Sequence, residues 1–260
     1  MLLISSPQNP HIKRIKALQE KARKRKEEGA FVIEGEKEIK HALASNFQLE
    51  QLYFKEKADI SEDLIQSAPK ESIRMSSLLF ERLCYRATSN ALAIALCKSH
   101  SLENIQLPSR NPLVLVAESP EKPGNIGALL RTADAMRVDA VFIAEPKTEL
   151  YNPNVIRASV GCLFTVPVAM AGRNEIFSYL EERNIPVYSA ALVENAKTYT
   201  QIDFTRPTAI AVGTEDKGLS AEWLKKKSTP IIIPMRGKND SLNVSVAAGI
   251  LLAEVQRQRN

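Results

Sequence analysis

The sequence predicts an α/β protein with a parallel sheet, and two observations support this prediction. Short, fully apolar segments recur along the chain, and helical patterns lie between most of them. Strands of this kind are buried on both faces, which is typical of a parallel sheet covered by helices.

The three cysteines, Cys84, Cys97 and Cys162, are far apart and lack C-x-x-C spacing, so we expect neither a disulfide framework nor a zinc knuckle.

Composition places the chain among globular proteins. It has 260 residues, of which 44% are hydrophobic, enough for one large domain or two ordinary ones. No apolar run is long enough to span a membrane, and the opening Met-Leu-Leu-Ile is too short for a secretory signal. Together with the sparse cysteines, these features favour a cytoplasmic protein that has no membrane partner.

The first element along the chain is a basic segment, residues 11–28. Its eight basic and three acidic residues leave a surplus equal to the net charge of the whole chain, +5. Asn9 is a suitable N-cap, Pro10 suits the first helical position, and Gly29 suits the position beyond the end, so one helix is predicted. Such a charge run is either a solvated helix face or an arm that contacts phosphates, and the segment alone leaves both open.

A small α/β module follows over residues 30–100. The predicted strands lie at residues 31–35, 49–55 and 91–97, and helical patterns cover residues 36–45, 59–67 and 76–84. Residues 101–111 contain Pro108 and several polar residues, and are the best linker candidate. We therefore divide the chain into a basic helical arm (1–29), this module (30–100), the linker (101–111) and a C-terminal domain (112–260).

The C-terminal domain begins with a fully apolar strand at residues 113–117. Further strands are predicted at residues 140–144, 186–191, 209–212 and 231–233, with helices at residues 126–136, 175–183 and 221–226 and at the C-terminus. In an open parallel sheet, ligands bind beyond the carboxyl ends of the strands. The loops that leave these ends are therefore the places to look for a site.

Three polar, glycine-marked loops follow the first, fourth and fifth of these strands. Their sequences are PGNIGALLRTA (123–133), GTEDKGL (213–219) and PMRGKNDSLNV (234–244). Taken singly, each has a structural explanation: Asn125, Ser241 or Asn243 could cap a helix, and the glycines could serve tight turns. Because all three loops meet at one edge of the sheet, a binding site explains them better together.

Two common kinds of site are not encoded. No G-x-G-x-x-G follows a strand and no G-x-x-x-x-G-K-[ST] occurs, which disfavours a dinucleotide site and a P-loop. The three histidines, His11, His41 and His100, lie in the N-terminal part, away from the three loops. We therefore expect no metal in the site.

In order and spacing, the three loops resemble the motifs of the SpoU (TrmH-like) branch of the SPOUT RNA methyltransferases. The resemblance spans about residues 112–260. The segment FVIEGEKEI (31–39) is more loosely similar to the family's substrate-binding domain, a ribosomal-protein-like RNA-binding fold. Two positions depart from the pattern, because Asp216 and Arg137 stand where glycine is common in the family.

The resemblance implies methylation of a ribose 2′-hydroxyl with S-adenosylmethionine as cofactor, in ribosomal RNA rather than transfer RNA. It also implies a deep trefoil knot in the C-terminal domain and a homodimer, neither of which the residues themselves indicate. A metal is unnecessary because the sulfonium is already an activated methyl donor. The main alternative is a non-catalytic RNA-binding or ribosome-assembly protein that keeps the fold, and a weaker one is methylation of a base.

The same resemblance identifies Arg131 as the central catalytic residue. It either helps to remove the hydroxyl proton or, through a substrate phosphate, stabilises the developing alkoxide; we favour the second role because a guanidinium stays protonated. The residues expected to orient Arg131, the substrate and the cofactor are Asn125, Glu215, Ser241 and Asn243. The cofactor contacts, mainly through backbone groups, are predicted at Leu192, Gly213, Ile233, Met235 and Leu242. The predicted RNA contacts of the arm are Lys13, Arg14, Arg23, Lys24, Arg25 and Lys26.

Overall fold

The computed structural model describes residues 3–67, 72–108, 110–214, 216–225 and 228–260. The chain forms two compact units. The first consists of Met1–Lys98 with Glu149–Thr165, and the second of Ser99–Thr148 with Val166–Asn260.

Within the described residues, twelve strands and eleven α-helices follow one another. The strands are β1 (Leu3–Ile4), β2 (Ala30–Glu34), β3 (Leu49–Lys55), β4 (Ile73–Met75), β5 (Ala91–Leu96), β6 (Leu113–Glu118), β7 (Ala140–Ala144), β8 (Val168–Ala171), β9 (Val187–Ala190), β10 (Lys197–Thr198), β11 (Thr208–Val212) and β12 (Ser228–Ile232). The helices are α1 (Pro10–Glu20), α2 (Ala22–Glu28), α3 (Glu36–Ala44), α4 (Glu62–Gln66), α5 (Ser77–Leu83), α6 (Pro123–Ala135), α7 (Pro153–Ser159), α8 (Cys162–Thr165), α9 (Arg173–Glu182), α10 (Ala221–Lys225) and α11 (Val244–Arg259).

The first unit is built on a mixed sheet with the strand order β1-β4-β3-β5-β2. β5 pairs antiparallel with β2 and β3, whereas β4 pairs parallel with β1 and β3. Helix α1 packs against β2 and buries Ile12, Ile15 and Leu18 completely. The basic segment therefore contributes three apolar side chains to the core of this unit.

The prediction that the basic segment forms a single helix is wrong, because two helices, α1 and α2, cover it. Lys21 is extended (φ −115°, ψ 109°) and separates α1 from α2. The break allows the buried Arg25 side chain to donate hydrogen bonds to the Leu18 and Gln19 carbonyls, which the end of α1 leaves without helical partners. Arg25 also pairs with Glu149. The predicted helix ends are confirmed, since Asn9 caps α1 and Gly29 ends α2 in the left-handed region.

Replacement of Arg25 is therefore expected to destabilise the first unit rather than to weaken ligand binding alone. Arg25→Ala leaves two backbone carbonyls and the Glu149 carboxylate without their hydrogen-bond donor. The free energy of unfolding should fall by about 3 kcal/mol. This is the low end for a broken buried ion pair, because Glu149 is partly exposed. Urea unfolding measures the loss. The control is Arg23→Ala, an exposed helix pair with Glu27, which should change stability by less than about 0.5 kcal/mol. Equal effects of both variants would contradict this assignment.

Residues 149–165 belong to the first unit, although the sequence-based boundaries place them in the C-terminal domain. Aromatic packing explains their position. Tyr151 stacks on Phe31 with ring centroids 4.2 Å apart, and Phe164 meets Phe47 edge-on at 5.1 Å. These contacts join residues distant in sequence, so no local pattern could indicate them.

The second unit contains the predicted parallel sheet. Its strand order is β10-β12-β9-β11-β6-β7-β8, and every neighbouring pair is parallel. β6, β7 and β11 are buried at every residue, as their unbroken apolar sequences predict. On one side of the sheet, Phe142 packs in a core cluster with Ile176 and Leu180 of α9 and Trp223 of α10. Helix α11 packs against α6 and β11.

Several short elements were not predicted. No element is predicted between residues 145 and 174, where α7, α8 and β8 lie, because each has only four to seven residues and is too short for a hydrophobic period to show. The predicted strands at residues 49–55 and 140–144 have the observed bounds. None of the helices in the described ranges combines the length and apolar character that a membrane crossing requires.

Candidate active site

Four neighbouring strands of the parallel sheet end at the same edge of the second unit. In the order β12, β9, β11 and β6 they lie side by side and point the same way, so their carboxyl ends meet. The three motif loops leave β6, β11 and β12, and residues 191–193 leave β9. The expectation that the three motifs share one edge of the sheet is confirmed.

A pocket of about 380 Å³ lies at this edge. It is lined by all five residues predicted to contact the cofactor, namely Leu192, Gly213, Ile233, Met235 and Leu242. The strand residues Val212 and Ile231 add apolar side chains to the pocket wall. Leu192 keeps 62% of its surface exposed. A pocket with apolar walls and strand-end backbone groups suits a flat heterocycle that is held by main-chain hydrogen bonds.

The second motif folds back on itself at the mouth of this pocket. Thr214 and Gly218 exchange two backbone hydrogen bonds of 3.0 Å, and Gly218 adopts a left-handed conformation with φ +64°. The returning chain lies so close to Gly213 that a Cβ there would be 2.0 Å from the Gly218 carbonyl carbon. Only glycine fits at position 213, and its backbone forms part of the pocket wall.

A second cleft of about 360 Å³ adjoins the first. The two share Gly213, Thr214, Asp216 and Val244, and the second cleft alone includes Asn125. The arrangement therefore provides two connected compartments, one apolar and one more polar.

Asn243 connects the third motif to the first. Its amide nitrogen donates to Asn125 Oδ1 over 3.4 Å, and its own Oδ1 caps α11 by accepting from the Ser245 backbone N–H at 3.0 Å. Ser241 lines the larger pocket and donates to Asp240 Oδ1 at 3.2 Å. Three of the predicted orienting residues thus lie around the two compartments.

Arg131 stands apart from this group. It is exposed on α6 and makes no hydrogen bond or ion pair with any other residue of the described ranges. Six residues separate it from Asn125, which corresponds to about 9 Å along the helix axis and a different side of the helix. Glu215, the remaining predicted catalytic residue, lies outside the described residues.

Asp216, which departs from the family pattern, is a charged lining residue of both compartments. Hydrogen bonds from the Thr214 hydroxyl and from backbone N–H groups lower the pKa of the Asp216 carboxyl. The carboxyl is therefore ionised at neutral pH, and it places a negative charge where a cationic ligand would be attracted.

Sequence reasoning missed a buried carboxylate that supports the second motif. Glu118 ends β6, is 3% exposed, and accepts 2.7 Å hydrogen bonds from the Ser220 backbone N–H, the Ser220 hydroxyl and Arg173 Nε. It therefore ties the residue that directly follows the second motif to the strand that precedes the first motif. The sequence signal that could have indicated this role of Glu118 was an acidic residue at the end of an otherwise apolar strand.

The six basic residues predicted to contact RNA have different environments. Lys13, Arg23 and Lys26 are exposed. Arg14 donates to Glu28 and Glu50, and Lys24 pairs with Glu28. Arg25 is 3% exposed and fully engaged, so the prediction that it contacts RNA is corrected: it is a structural residue of the first unit. Across the described parts of the chain, no group of three or more metal-binding side chains occurs.

Comparison with known proteins gives two matches to protein families. The SpoU rRNA Methylase family matches residues 112–253, and the MRM3-like substrate binding domain matches residues 9–93. The first match includes residues 149–165, which pack in the first unit.

Curated relatives cover most of the chain. The 23S rRNA (guanosine(2553)-2′-O)-methyltransferase RlmP of Bacillus subtilis is 31% identical over 97% of this chain and 98% of its own length. The 23S rRNA (uridine(2479)-2′-O)-methyltransferase of Streptomyces viridochromogenes is 27% identical over 96% and 91%. A tRNA (guanosine(18)-2′-O)-methyltransferase of Thermus thermophilus is 39% identical, but over 59% of this chain and 79% of its own.

Solved structures agree over the same length. The SpoU methyltransferase AviRb from Streptomyces viridochromogenes, in complex with the cofactor AdoMet, has a TM-score of 0.86 and 27% identity, covering 97% of this chain and 98% of its own. A crystal structure described as an RNA 2′-O ribose methyltransferase has a TM-score of 0.85 and 37% identity, and covers 99% of both chains.

Proposed function

The chain belongs to the SpoU rRNA Methylase family, and we propose that it methylates a ribose 2′-hydroxyl of ribosomal RNA with S-adenosylmethionine as methyl donor. The observation that carries this proposal is the meeting of three motifs around two connected compartments at one sheet edge. Relatives named for 23S rRNA match along almost the whole chain, whereas the tRNA relative matches 59% of it. The extent of the matches therefore favours ribosomal RNA.

The apolar compartment fits the cofactor. We assign the adenine to the walls made by Leu192, Ile233, Met235 and Leu242, with main-chain hydrogen bonds from the strand ends and from Gly213. When bound, S-adenosylmethionine supplies a methyl group on a positively charged sulfur. The ionised Asp216 carboxylate, in the lining shared by both compartments, favours that charge.

The polar compartment is assigned to the acceptor ribose. The side chains of Asn125 and Asn243 meet at its edge and offer amide donors and acceptors that orient a hydroxyl. Ser241 lines the cofactor compartment, and we assign its hydroxyl to orienting the substrate and the cofactor. Arg131 keeps its positive charge and stabilises the alkoxide through a substrate phosphate.

The distance between Arg131 and the other motif residues favours a homodimer with a shared site. Along α6, Arg131 faces a different side from Asn125, and it has no partner in the described part of its own chain. A second copy of the chain would bring such an exposed guanidinium to the compartments of its neighbour. Sedimentation velocity should therefore give the mass of two chains, and a monomer that is fully active would contradict this arrangement.

The trefoil knot is also part of the proposal, with the C-terminal segment threaded through a loop. Its support is the membership of the chain in the SpoU family. The last turn of α11 is held by the segment that precedes β11. Gln258 exchanges hydrogen bonds with Phe204 and Ile202, and Arg259 donates to the Phe204 carbonyl. We also assign a role to each unit. The first unit, which contains the match to a substrate binding domain, binds RNA, and the second transfers the methyl group.

Methyl transfer to RNA tests the function directly. Purified protein is incubated with labelled S-adenosylmethionine and total ribosomal RNA from cells that lack the gene, and the nucleosides are then identified by mass spectrometry. A 2′-O-methylated nucleoside is expected. A base-methylated nucleoside would establish the weaker alternative instead. Absence of transfer, together with no calorimetric signal on cofactor addition, would support the non-catalytic RNA-binding protein.

The exposed cations of the first unit are expected to contribute phosphate contacts. Replacing Lys13, Arg23 and Lys26 together by alanine should lower the slope of log affinity against log salt by about 2, since each phosphate contact contributes roughly 0.7 for single strands. Filter binding to ribosomal RNA at several salt concentrations measures the slope. Cofactor affinity, measured by calorimetry, should stay unchanged, and an unaltered salt slope would remove these residues from the RNA surface.

A further inference from the structure

A cleft of about 280 Å³ in the first unit has no part in the site described above. Its walls are apolar, with Val32, Leu83 and Ile156 among the lining residues. Three further lining residues, Tyr85, Arg86 and Arg157, carry an aromatic ring and two positive charges. An apolar cleft that also carries cations suits a planar ligand attached to an anionic group.

Tyr85 is the most exposed large side chain of this cleft. It keeps 71% of its surface accessible, although the guanidinium carbon of Arg157 lies 3.6 Å from its ring centroid. One ring face is therefore covered by the cation, and the remaining face and edges provide the exposure. Asn154 accepts a 2.6 Å hydrogen bond from Arg157 and holds the guanidinium in place. An exposed ring that already carries a cation on one face is a stacking surface.

The backbone beneath Tyr85 is fixed by a carboxylate. Glu34, at the end of β2, accepts hydrogen bonds from the backbone N–H groups of Tyr85 (2.9 Å) and Arg86 (2.7 Å) and from the Ser89 hydroxyl (2.7 Å). These three donors engage both carboxylate oxygens, and so they anchor the backbone of Tyr85 and Arg86 to the end of β2. The exposure of Tyr85 is thus built into the fold and is not the result of a loose loop.

Arg86 provides a charge beside the ring. Its Nη1 donates to Glu38 at 2.6 Å, and Glu38 is 3% exposed. The other guanidinium donors of Arg86 have no partner among the residues that the structure describes. They remain available to a phosphate next to a stacked base.

We propose that Tyr85 and Arg157 form a stacking platform for one unpaired nucleobase of the RNA substrate, with Arg86 as the contact to the adjoining phosphate. This proposal rests on the proposed function, which makes RNA the substrate. The bases of a duplex stack on one another and present no free face, whereas a loop or bulge can place a base on an aromatic or guanidinium plane. The platform therefore selects RNA that contains a single-stranded element.

Fluorescence binding with two RNA probes tests the platform. One probe is a hairpin whose loop contains 2-aminopurine, and the other is a fully paired duplex of the same length. Tyr85→Ala should weaken hairpin binding by about 10- to 100-fold, the usual effect of losing one base–aromatic stack, and should leave duplex binding unchanged. The matched control is Tyr85→Phe, which keeps the ring and should bind the hairpin like the unmodified chain.

Further measurements separate this proposal from the function on which it rests. The RNA affinities are measured without cofactor, so they do not depend on methyl transfer. Thermal unfolding of Tyr85→Ala should be unaltered because the side chain is exposed. Equal hairpin binding by Tyr85→Ala and the unmodified chain would overturn the platform and point to a protein partner for this cleft. Equal loss of hairpin and duplex binding would overturn its selectivity for unpaired bases.

Discussion

Arg131→Ala should lower the rate of methyl transfer by at least about 100-fold, while the protein still folds and still binds S-adenosylmethionine. Arg131 is exposed and has no partner within the described residues of its own chain, so its removal costs the fold little. The loss is expected in the transition state, where negative charge develops on the ribose oxygen. Single-turnover kinetics on ribosomal RNA measure the rate, and calorimetry with the cofactor provides the control.

Arg131→Lys distinguishes the two roles considered for this residue. If Arg131 stabilises charge, lysine keeps the charge but loses the two-pronged contact with a phosphate, and the rate should fall by a smaller factor than in Arg131→Ala. If Arg131 removes the proton, a lysine in its place would lose its own proton more readily and so be available as a base in a larger fraction of molecules, because the usual pKa of lysine, about 10.4, is below that of arginine. The rate of the lysine variant would then rise with pH and exceed that of arginine. Full activity of Arg131→Ala would contradict both roles.

Gly213→Ala should weaken S-adenosylmethionine binding by at least about 10-fold. The added Cβ would lie 2.0 Å from the Gly218 carbonyl carbon and 2.2 Å from the Leu219 nitrogen, and both are backbone atoms that cannot turn away. The loop must open, which breaks the paired hydrogen bonds between Thr214 and Gly218 and moves a pocket wall. A loss of about 1.4 kcal/mol of binding free energy already corresponds to tenfold.

The control for this prediction is Gly124→Ala. Gly124 belongs to the first motif, but no heavy atom lies within 4 Å of a Cβ built there, and its φ is not positive. Cofactor affinity should be unchanged, and helix α6 should gain slightly from the alanine. If Gly213→Ala bound the cofactor as tightly as Gly124→Ala does, the second motif would not form the pocket wall.

The parallel sheet and the position of the site could be predicted because they depend on local sequence. The unbroken apolar run of β6 indicates burial on both faces, and the polar residues that follow it mark its carboxyl end. Once strands are known to be parallel, their ends must meet, so the loops with Asn125 and Asn243 must approach each other. The left-handed Gly29 and the cap by Asn9 were likewise evident from single residues.

The role of each charged residue could not be predicted in the same way. Arg25 and Arg23 are two positions apart in one basic run, yet Arg25 is buried and Arg23 is exposed. The difference has two causes. The helix is interrupted at Lys21, and Glu149, which lies 124 positions after Arg25, packs beside it. A count of charges along the segment contains neither fact.

The sequence by itself determined the class of fold and the place of the site, because strand period and glycine positions are local properties of the chain, and the resemblance of the three motifs indicated the family and its chemistry. Only the tertiary structure decided which side chains meet: Glu118 with Ser220 across 102 positions, and Tyr85 with Arg157 beside the cleft. Such pairs depend on the packing of elements distant in sequence. Burial then decides their use, since a charge that packing encloses must be paired, whereas one left in water is free to bind a substrate.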